Sequence, residues 1–597
     1  MKFPSRFASL LTPLMMLGAC DVLFTTPAEP EPEPIAAPVV DEGWPHGAMV
    51  AAADPRAVEA GLAVIAEGGH AVDAAIAVHA VLGLVEPQSS GIGGGAFMVV
   101  HERETGETIV YDGRETAPAA ARPDLFIKDG EVMGYIAAWQ SGRSVGVPGQ
   151  VALYKTAHDA HGQADWSRLF DDAITLAETG FEVSPRLAQL LANPRLRGAV
   201  RLDDEGTAAA AYFYPDGAPL EVGALRDNPA YADMLREVSL VGPSAFYTGP
   251  RAERIVAAVT SDAEPGAMTI EDLDGYRVDV RAPICGEFES GATYTVCSAP
   301  PPSSGGVAQN AILGLYQRLI ADQDSPSSDD KLRAWVDAQR LAYADRDHYV
   351  ADPAFVPVPG SDLINPIYLD VRAGEVDAPG AMPQPGDPGV ALQRGPMIDM
   401  WGRDTTDETP GTTHVSIIDL DGNAVSMTAT VESAFGNSVM VDGFLLNNEL
   451  TDFARAPEKN GVPVANAPAG GKRPRSSMSP TIVFDDDGDL VMVTGSPGGN
   501  SIVAYVSKTL VGVLDWGLSA QEAVNLPNVI ARGQAVGVET SAEGGEAWGT
   551  YLRDLGYQVR ERSGENSGLH VIVVREDGLE GAADPRREGV AELLELE

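Results

Sequence analysis

The chain has 597 residues, 44% of them hydrophobic, which is enough for one large domain or two fused halves with a substantial core. Its formal net charge of −45 argues against a nucleic-acid partner, because phosphate binding relies on lysine and arginine. The histidines are scattered and no C-x-x-C pair occurs. We therefore expect neither a metal nor any other cofactor in the chemistry.

The first residues are interpreted as a targeting signal. An apolar run, Phe7 to Leu17, is too short to span a bilayer but is typical of a signal-peptide core. Leu17-Gly18-Ala19-Cys20 predicts a lipoprotein cleavage box, so that residues 1–19 are removed and Cys20 is lipidated; an ordinary secretion signal is the alternative. Residues 20–43, rich in Pro and Glu, predict a tether. The expected location is the periplasm or cell envelope, with membrane contact through the lipid only.

Residues 54–95 predict two helices and a glycine-rich turn. Asp54-Pro55 begins the first helix and Gly68-Gly69 ends it. The second, Ala71 to Leu84, is apolar nearly all round and is expected to be buried. The run G-I-G-G-G at 91–95 brings the backbone close to a neighbour, without a nucleotide-binding pattern.

The middle of the chain carries helical patterns, for example at 170–178 and 331–346, and one pair of cysteines. Cys285 and Cys297 lie in a segment typical of strand, turn and strand. They form either a disulfide, worth roughly 3 kcal/mol on the loop-entropy argument, or two separately buried thiols. Residues 375–411, rich in Pro, Gly and Asp, predict a flexible approach to the next motif.

Residues 410–430 predict a β-hairpin around Asp421-Gly422. A three-residue connection centred on Asp421 places Thr412 opposite Thr430, whereas a two-residue turn shifts that pairing by one position. Either register brings the two threonines close together. Gly411 precedes the first of them.

A Gly-Thr pair at the start of a strand suits a nucleophile that must be released from the chain. A Thr hydroxyl can be activated by the free α-amino group of the same residue, whose pKa of about 8 makes it a base at neutral pH. Releasing that amine requires a cut between Gly411 and Thr412. Gly411 offers no side chain to hinder the attack of the Thr412 hydroxyl on its carbonyl. Taken alone, the pattern also fits a threonine-rich edge strand.

Further along, Gly498 and Gly499 precede a predicted helix, Ser501 to Leu514. Backbone N–H groups at the start of a helix can point at a developing oxyanion, with help from the helix dipole. Taken alone, the two glycines also fit a simple turn; together with the other motifs they predict an oxyanion hole.

Seven ordered blocks give the chain a family resemblance. They are V-E-P-Q-S-S-G-I-G-G-G at 85–95, D-G-R-E at 112–115, P-P-P-S-S-G-G at 300–306, T-T-H at 412–414, L-L-N-N-E-L-T-D-F at 445–453, K-R-P-R-S-S-M-S-P-T at 472–481 and G-S-P-G-G at 495–499. From about Gly47 to about Arg587 the chain resembles the γ-glutamyltranspeptidase (glutathione hydrolase) family of the N-terminal nucleophile hydrolase superfamily. The resemblance implies an α+β fold, a four-layer αββα sandwich formed by a large subunit (44–411) and a small catalytic subunit (412–597) cut from one precursor.

The resemblance also implies roles for single residues. Thr412 is the nucleophile and Thr430 orients it. Arg114 grips the α-carboxylate of the donor, since its planar fork matches a carboxylate. The remaining donor contacts fall into two groups: Ser476 and Ser477 on the α-carboxylate, and Glu449 and Asp452 on the α-ammonium.

Three departures from the family pattern limit the substrate prediction. Glu432 stands where well-studied members carry Asn, and its charge either strengthens the hold on an ammonium group or weakens binding of a γ-glutamyl donor. Thr451-Asp452 replaces two consecutive Asp residues. Residues 454–472 are shorter than in members with a lid loop, and an open pocket admits water.

The expected function is a self-processing enzyme that cleaves the γ-glutamyl bond of glutathione and related donors through a Thr412 acyl-enzyme, with hydrolysis favoured over transfer. Water, an amino acid or a peptide accepts the acyl group, and the two subunits remain together as a heterodimer. One alternative is a glutaryl or cephalosporin-type acylase of the same fold. Another is a periplasmic binding lipoprotein without turnover.

Overall fold

Two antiparallel sheets stacked face to face form the centre of the computed structural model, which describes residues 44–321, 326–409, 411–563 and 567–595. The predicted signal peptide, Cys20 and the tether lie outside the described residues. No helix among the described residues is long and apolar enough to cross a membrane.

The strands are numbered in chain order. They are β1 Ala48–Ala52, β2 Gly95–Glu102, β3 Glu107–Asp112, β4 Ile127–Lys128, β5 Glu131–Val132, β6 Phe181–Glu182, β7 Leu225–Arg226, β8 Asp279–Arg281, β9 Ile284–Glu289, β10 Thr293–Ser298, β11 Gly411–Ile418, β12 Ala424–Glu432, β13 Met440–Val441, β14 Phe444–Leu445, β15 Glu458–Lys459, β16 Val462–Pro463, β17 Thr481–Phe484, β18 Leu490–Gly495, β19 Val529–Ile530, β20 Ala535–Glu539, β21 Gln558–Arg562, β22 His570–Arg575, β23 Gly578–Ala583 and β24 Val590–Leu594.

The helices are numbered in the same way. They are α1 Pro55–Ala66, α2 Ala71–Val85, α3 Tyr135–Trp139, α4 Gln150–His161, α5 Asp171–Thr179, α6 Pro185–Ala192, α7 Pro194–Ala199, α8 Ala208–Phe213, α9 Pro229–Val241, α10 Ser244–Tyr247, α11 Gly249–Thr260, α12 Ile270–Asp274, α13 Gly305–Ile320, α14 Ser328–Tyr349, α15 Gly360–Leu363, α16 Pro366–Ala373, α17 Pro388–Ala391, α18 Ile502–Leu514, α19 Ala520–Asn525 and α20 Gly545–Asp554.

Both large sheets mix strands from before and after the Gly411-Thr412 junction. The seven-stranded sheet has the order β24-β1-β11-β12-β2-β3-β8, so that β1 lies between two strands that follow the junction. The six-stranded sheet has the order β23-β22-β18-β17-β10-β9, in which the last two precede the junction. The two parts of the chain therefore share every layer of the β structure.

Helices cover the outer face of each sheet. On one side, α1 and α2 pack on the face of the seven-stranded sheet that includes Val50, Met98 and Val415. On the other side, α13, α14 and α18 pack with the six-stranded sheet in the second core. The predicted αββα sandwich is thereby confirmed. Every residue of α2 is buried, as predicted from the apolar side chains on all of its faces.

Local predictions for the helices agree with the structure. Asp54 caps α1, with Pro55 at its first position, and α2 extends one residue beyond the predicted Leu84. The helical patterns at 170–178 and 331–346 correspond to α5 and α14. These signals depend on neighbouring residues, so the sequence alone was sufficient for them.

Cys285 and Cys297 face each other across β9 and β10 and form a disulfide. Their Cα atoms are 4.1 Å apart. Of the two states left open by the sequence, the structure contains the disulfide. It closes the hairpin at the edge of the six-stranded sheet, where β9 has a neighbour on one side only.

Candidate active site

The hairpin of β11 and β12 places Thr412 directly opposite Thr430, which confirms the register centred on Asp421. The hydroxyl oxygens of the two threonines are 3.2 Å apart. Thr430 Oγ1 donates to the carbonyl oxygen of Gly411 at 3.0 Å and accepts from the backbone N–H of Glu432 at 2.8 Å. A hydroxyl has a single proton. The contact between the threonines must therefore be a donation from Thr412 to Thr430.

The backbone is irregular at the junction itself. The pairing of β11 with β12 shifts between Gly411 and Thr412, as in a β-bulge. A Cβ atom on Gly411 would lie 2.3 Å from the carbonyl oxygen of Glu432 and equally close to Ser433 C. Only glycine fits there, so the residue before Thr412 is fixed by close packing. Glu432 itself has a positive φ of 76°, which is uncommon for a residue with a side chain.

His414, in the same T-T-H block, acts as a packing residue. It is fully buried, and its ring nitrogens contact Thr428 Oγ1 at 2.8 Å and Ser416 Oγ at 3.0 Å. Burial lowers the pKa of His414 well below its ordinary value, so the ring is neutral. It joins β11 to β12 without reaching the junction.

A small cavity collects most of the residues singled out by the sequence. Its volume is only about 10 Å³, room for about one water molecule. Its lining includes Arg114, Thr412, Thr430, Glu432, Glu449, Asp452, Ser476, Ser477 and Gly499. Gly498, the second predicted oxyanion residue, lines a larger neighbouring cleft instead.

Arg114 is buried and already paired. One terminal nitrogen contacts Glu449, and the other donates to Asp452 at 2.6 Å and to the carbonyl oxygen of Arg475 at 2.8 Å. The guanidinium therefore orients two carboxylates in the uncut chain. Burial, with crowding by neighbouring carboxyl groups, raises the pKa values of Glu449 and Asp452 well above their ordinary range, although Arg114 opposes this.

The two serines lie on a rigid turn. Ser476 Oγ accepts from the N–H of Met478 at 3.1 Å, and its carbonyl accepts from the N–H of Ser304 at 2.8 Å. Ser477 Oγ accepts from the guanidinium of Arg346. Both side chains are buried next to the cavity and oriented by contacts with the P-P-P-S-S-G-G segment and with α14.

The glycine pair begins the α18 segment as predicted. Gly498 and Gly499 have φ values of 140° and 57°, and a short turn, Gly499–Ser501, leads into the helix. In the uncut chain the carbonyl oxygen of Glu408 lies against Gly499, where a Cβ atom would be only 2.4 Å from it. The chain segment before the junction therefore covers the predicted oxyanion hole.

Three arginines hold this segment, which we call the pre-junction tail (residues 404–409). Arg346 pairs with Glu408. The other pairs are Arg475 with Asp404 at 2.9 Å and Arg532 with Asp407 at 2.6 Å.

Within the segment predicted to be a flexible approach, these pairs hold residues 404–408 in place. Arg475 also reaches Glu408, at 3.5 Å. Although burial opposes it, the two buried arginines Arg346 and Arg475 lower the pKa of Glu408, so this carboxyl group is ionised. Sequence reasoning missed all three arginines. The one available signal was the set of acidic residues before the junction, Asp404, Asp407 and Glu408, which require cationic partners when they are buried.

The tail also contacts Glu432, on the side of the cavity that is predicted to bind the donor. Thr409 donates to Glu432 through its backbone N–H at 3.1 Å and its hydroxyl at 3.0 Å. The Tyr135 hydroxyl lies 2.7 Å from Thr409 Oγ1 and from Ser433 Oγ. In the uncut chain, the tail therefore uses hydrogen-bonding positions of Glu432, the residue that departs from the family pattern.

Comparisons with known proteins agree on one family. The sequence model described as Gamma-glutamyltranspeptidase matches residues 57–594. A glutathione hydrolase proenzyme of Bacillus subtilis (strain 168) is 36% identical over 487 residues, 81% of this chain and 80% of the relative. The corresponding proenzyme of Escherichia coli (strain K12) is 34% identical over 588 residues, 96% of each chain. Among solved structures, cephalosporin acylase from Bacillus halodurans is similar with a TM-score of 0.80 and 25% identity, covering 96% of this chain and 100% of that one.

The crowding of carboxyl groups predicts a pH-dependent cost at Glu115. Burial and the neighbouring Glu449 raise the pKa of Glu115 well above its ordinary value. In the unfolded chain this group ionises near pH 4.3. Above that pH the folded state binds one proton more than the unfolded state, so the free energy of unfolding falls as the pH rises. Glu115→Gln removes this loss. The free energy of unfolding, measured in urea, should therefore increase in the variant relative to the wild type as the pH rises from 4 to 7.

A substitution at an exposed glutamate, Glu205→Gln, serves as the control and should show no such gain. A constant difference between Glu115→Gln and the wild type across this pH range would contradict the assignment.

Proposed function

The chain belongs to the γ-glutamyltranspeptidase family, and from this premise we propose that it is a self-processing γ-glutamyl hydrolase and transferase with Thr412 as its nucleophile. The proposal depends above all on one observation: the hydrogen-bond chain from the Thr412 hydroxyl through Thr430 to the carbonyl oxygen of Gly411. Family membership sets aside the binding-protein alternative.

That chain of hydrogen bonds suits self-cleavage. The Thr412 oxygen attacks the Gly411 carbonyl carbon, its proton passes to Thr430, and Thr430 passes its own proton to the carbonyl oxygen, which gives a neutral tetrahedral intermediate. As the C–N bond breaks, the carbonyl re-forms and that proton moves to the Thr412 nitrogen, leaving a Gly411 ester on the Thr412 oxygen and a free Thr412 amine. Water hydrolyses the ester and gives a Gly411 carboxylate and the Thr412 hydroxyl. The bulge and the close packing at Gly411 support this step.

Turnover reuses the same groups. The freed amine of Thr412 acts as the base for its hydroxyl, which attacks the γ-carbonyl of glutathione or a similar donor. Gly498 and Gly499 hold the oxyanion once the tail has left them, and each missing donor of this kind typically costs about 3 kcal/mol of barrier. Water or an acceptor amine then resolves the acyl-enzyme.

Recognition of the donor head pairs its ammonium group with buried carboxyl groups, because the positive charge favours their ionised form and offsets the burial that raises their pKa values. Its α-ammonium group meets Glu432, Glu449 and Asp452, which are buried around one cavity. Arg114 orients two of these carboxylates. Together with Ser476 and Ser477, its guanidinium also provides the positive and hydrogen-bonding wall for the α-carboxylate.

Hydrolysis is favoured over transfer because the segment 454–472 is too short to form a lid over the site once the tail has left. Residues 454–472 form only the short β15–β16 ribbon, and β16 meets the chain before the tail through Gly402 N–H to Pro463 O at 2.8 Å. Water therefore has access. The interleaved strands support two subunits that remain together after the cut. For localisation, the Leu17-to-Cys20 box supports a lipid-anchored protein of the cell envelope.

Replacing the nucleophile tests the whole scheme. Thr412→Ala should run as one uncut chain on a denaturing gel and release no p-nitroaniline from γ-glutamyl-p-nitroanilide, because both reactions need the same hydroxyl. Thr405→Ala changes an exposed threonine of the pre-junction tail and should be cut and active. Two bands from Thr412→Ala would refute self-cleavage at this residue.

Thr430 gives a test of the hydrogen-bond chain alone. Thr430→Val keeps the shape of the side chain but has no hydroxyl, and should slow self-cleavage by about 100-fold or more, the usual size of a lost acid–base contribution. Thr430→Ser retains the hydroxyl and should still cut. The time course of fragment formation, with thermal melts to verify folding, measures both variants. Equal rates for Val and Ser would rule out the relay.

An acylase acting on glutaryl groups is the second candidate, favoured by the similarity to the acylase structure. A glutaryl donor lacks the ammonium group that would pair with the carboxyl groups of Glu432, Glu449 and Asp452 in this cavity. We expect γ-glutamyl-p-nitroanilide to be turned over at least about tenfold more efficiently than glutaryl-p-nitroanilide, since one unpaired buried charge is worth that much or more. The reverse preference would favour the acylase.

A further inference from the structure

Four oxygen atoms surround the Thr409 hydroxyl of the pre-junction tail in the uncut chain. Its Oγ1 atom lies 2.6 Å from Ser433 Oγ and 2.7 Å from Tyr135 Oη. The two carboxyl oxygens of Glu432 are 3.0 and 3.2 Å away from it. Such a set of oxygens suits an ammonium group, which carries three donor hydrogens and no acceptor. We call Tyr135, Glu432 and Ser433 the oxygen cage.

The oxygen cage adjoins the small cavity that contains Thr412. Thr409 and Glu432 both line that cavity, whereas Tyr135 contacts Thr409 and is not among the lining residues. When Thr409 leaves with the tail after self-cleavage, the Tyr135 hydroxyl therefore faces the space that opens. A donor head in the cavity can then place its ammonium nitrogen at the former position of the Thr409 hydroxyl.

Glu432 differs in its partners from the other two carboxyl groups of the cavity. Glu449 and Asp452 both pair with Arg114. Glu432 instead accepts from the backbone N–H of Thr409 at 3.1 Å and from its hydroxyl at 3.0 Å. Departure of the tail removes both of these donors from Glu432. An ammonium group of the donor replaces them.

The hydroxyl groups of the cage have an arrangement of protons that leaves acceptors for a cation. Ser433 Oγ donates to Glu432, and the Tyr135 hydroxyl, 2.7 Å from Ser433 Oγ, donates to that oxygen. The lone pairs of Tyr135 Oη then accept from the ammonium group. Burial raises the pKa of Glu432, hydrogen bonds from Ser433 and Thr409 oppose this, and a positive charge beside the carboxyl group favours its ionised form.

The Tyr135 side chain is held in place by its surroundings. It stands at the start of α3, and the indole N–H of Trp139 at the end of this helix donates to the carbonyl oxygen of Gly436 at 2.6 Å. This contact attaches α3 to the loop that carries Ser433. The guanidinium of Arg455 lies over the Tyr135 ring, 5.2 Å from its centroid. The hydroxyl is therefore oriented before a donor arrives, which lowers the entropic cost of binding.

We propose that the oxygen cage binds the α-ammonium group of the donor, and that Tyr135, which lies outside the seven motif blocks of the family resemblance, determines specificity for donors with a free α-amino group. The proposal rests on the proposed function, because the cage opens only when the tail leaves. It defines the substrate class as γ-acyl donors with an unblocked α-amino group, as opposed to glutaryl or N-acylated analogues.

Two ligands that differ only in the α-amino group, L-glutamate and glutarate, test the cage without turnover. Each is titrated by calorimetry into the cut enzyme, whose two fragments are verified on a denaturing gel. Tyr135→Phe removes one hydroxyl and keeps the ring under Arg455. It should weaken L-glutamate binding about tenfold, as expected for one lost hydrogen bond to a charged group, and glutarate binding by less than about twofold.

Tyr551→Phe is the matched control. Tyr551 is a half-buried tyrosine on α20, a helix that carries none of the residues lining the cavity, and its replacement should change neither affinity. Ser433→Ala removes a second hydroxyl of the cage and should shift the ratio of the two affinities in the same direction as Tyr135→Phe. Thermal melts verify that each variant is folded.

Steady-state kinetics separate a binding role from a general structural one. With γ-glutamyl-p-nitroanilide, Tyr135→Phe should raise KM about tenfold and leave kcat nearly unchanged, because the hydroxyl contacts the head and not the reacting carbonyl. An unchanged affinity for L-glutamate, or equal losses for L-glutamate and glutarate, would overturn the cage. A wild type that stays uncut, or that is cut and does not turn over this donor, would instead refute the proposed function.

Discussion

The pairing of Thr412 with Thr430 is the constraint on which the site depends. Every residue of β11 and β12 is buried, so the hairpin has a helix layer on one side and a second sheet on the other. A slip by one position would move the Thr430 hydroxyl to the opposite face and break its contacts with Gly411 and Thr412 together. The register therefore fixes together the positions of the proposed nucleophile Thr412, its partner Thr430 and the bond that precedes Thr412.

Charge organises the space around this hairpin. The small cavity that contains Thr412 is rich in carboxyl groups around Arg114, whereas the adjoining cleft is lined by three arginines and three acidic residues. The acidic tail lies between them and satisfies Arg346, Arg475 and Arg532 while the chain is uncut. Unpaired buried charges are costly, so the acidic groups of the tail stabilise the uncut chain by pairing with these arginines. If the tail departed, the same arginines would lose those partners.

Sequence reasoning succeeded where the signal is local. The turn at Asp421-Gly422, the cap at Asp54 and the helix after Gly499 follow from neighbouring residues and appear as predicted. It missed partners that are far apart in sequence. Glu408 with Arg346 is one case, and no periodicity marks such a pair. The pairing of Arg114 with Glu449 was missed for the same reason, since each residue was assigned to the substrate separately.

The pairing of β24 with β1 makes the seven-stranded sheet depend on a segment that is synthesised late. Residues 590–594 pair with all five residues of β1, and β1 in turn borders the strand that carries Thr412. During synthesis this edge of β1 stays unpaired until residues 590–594 have been made. In the proposed self-processing scheme, a chain truncated before residue 590 would therefore lack the strand that flanks β1, the neighbour of the strand that carries Thr412.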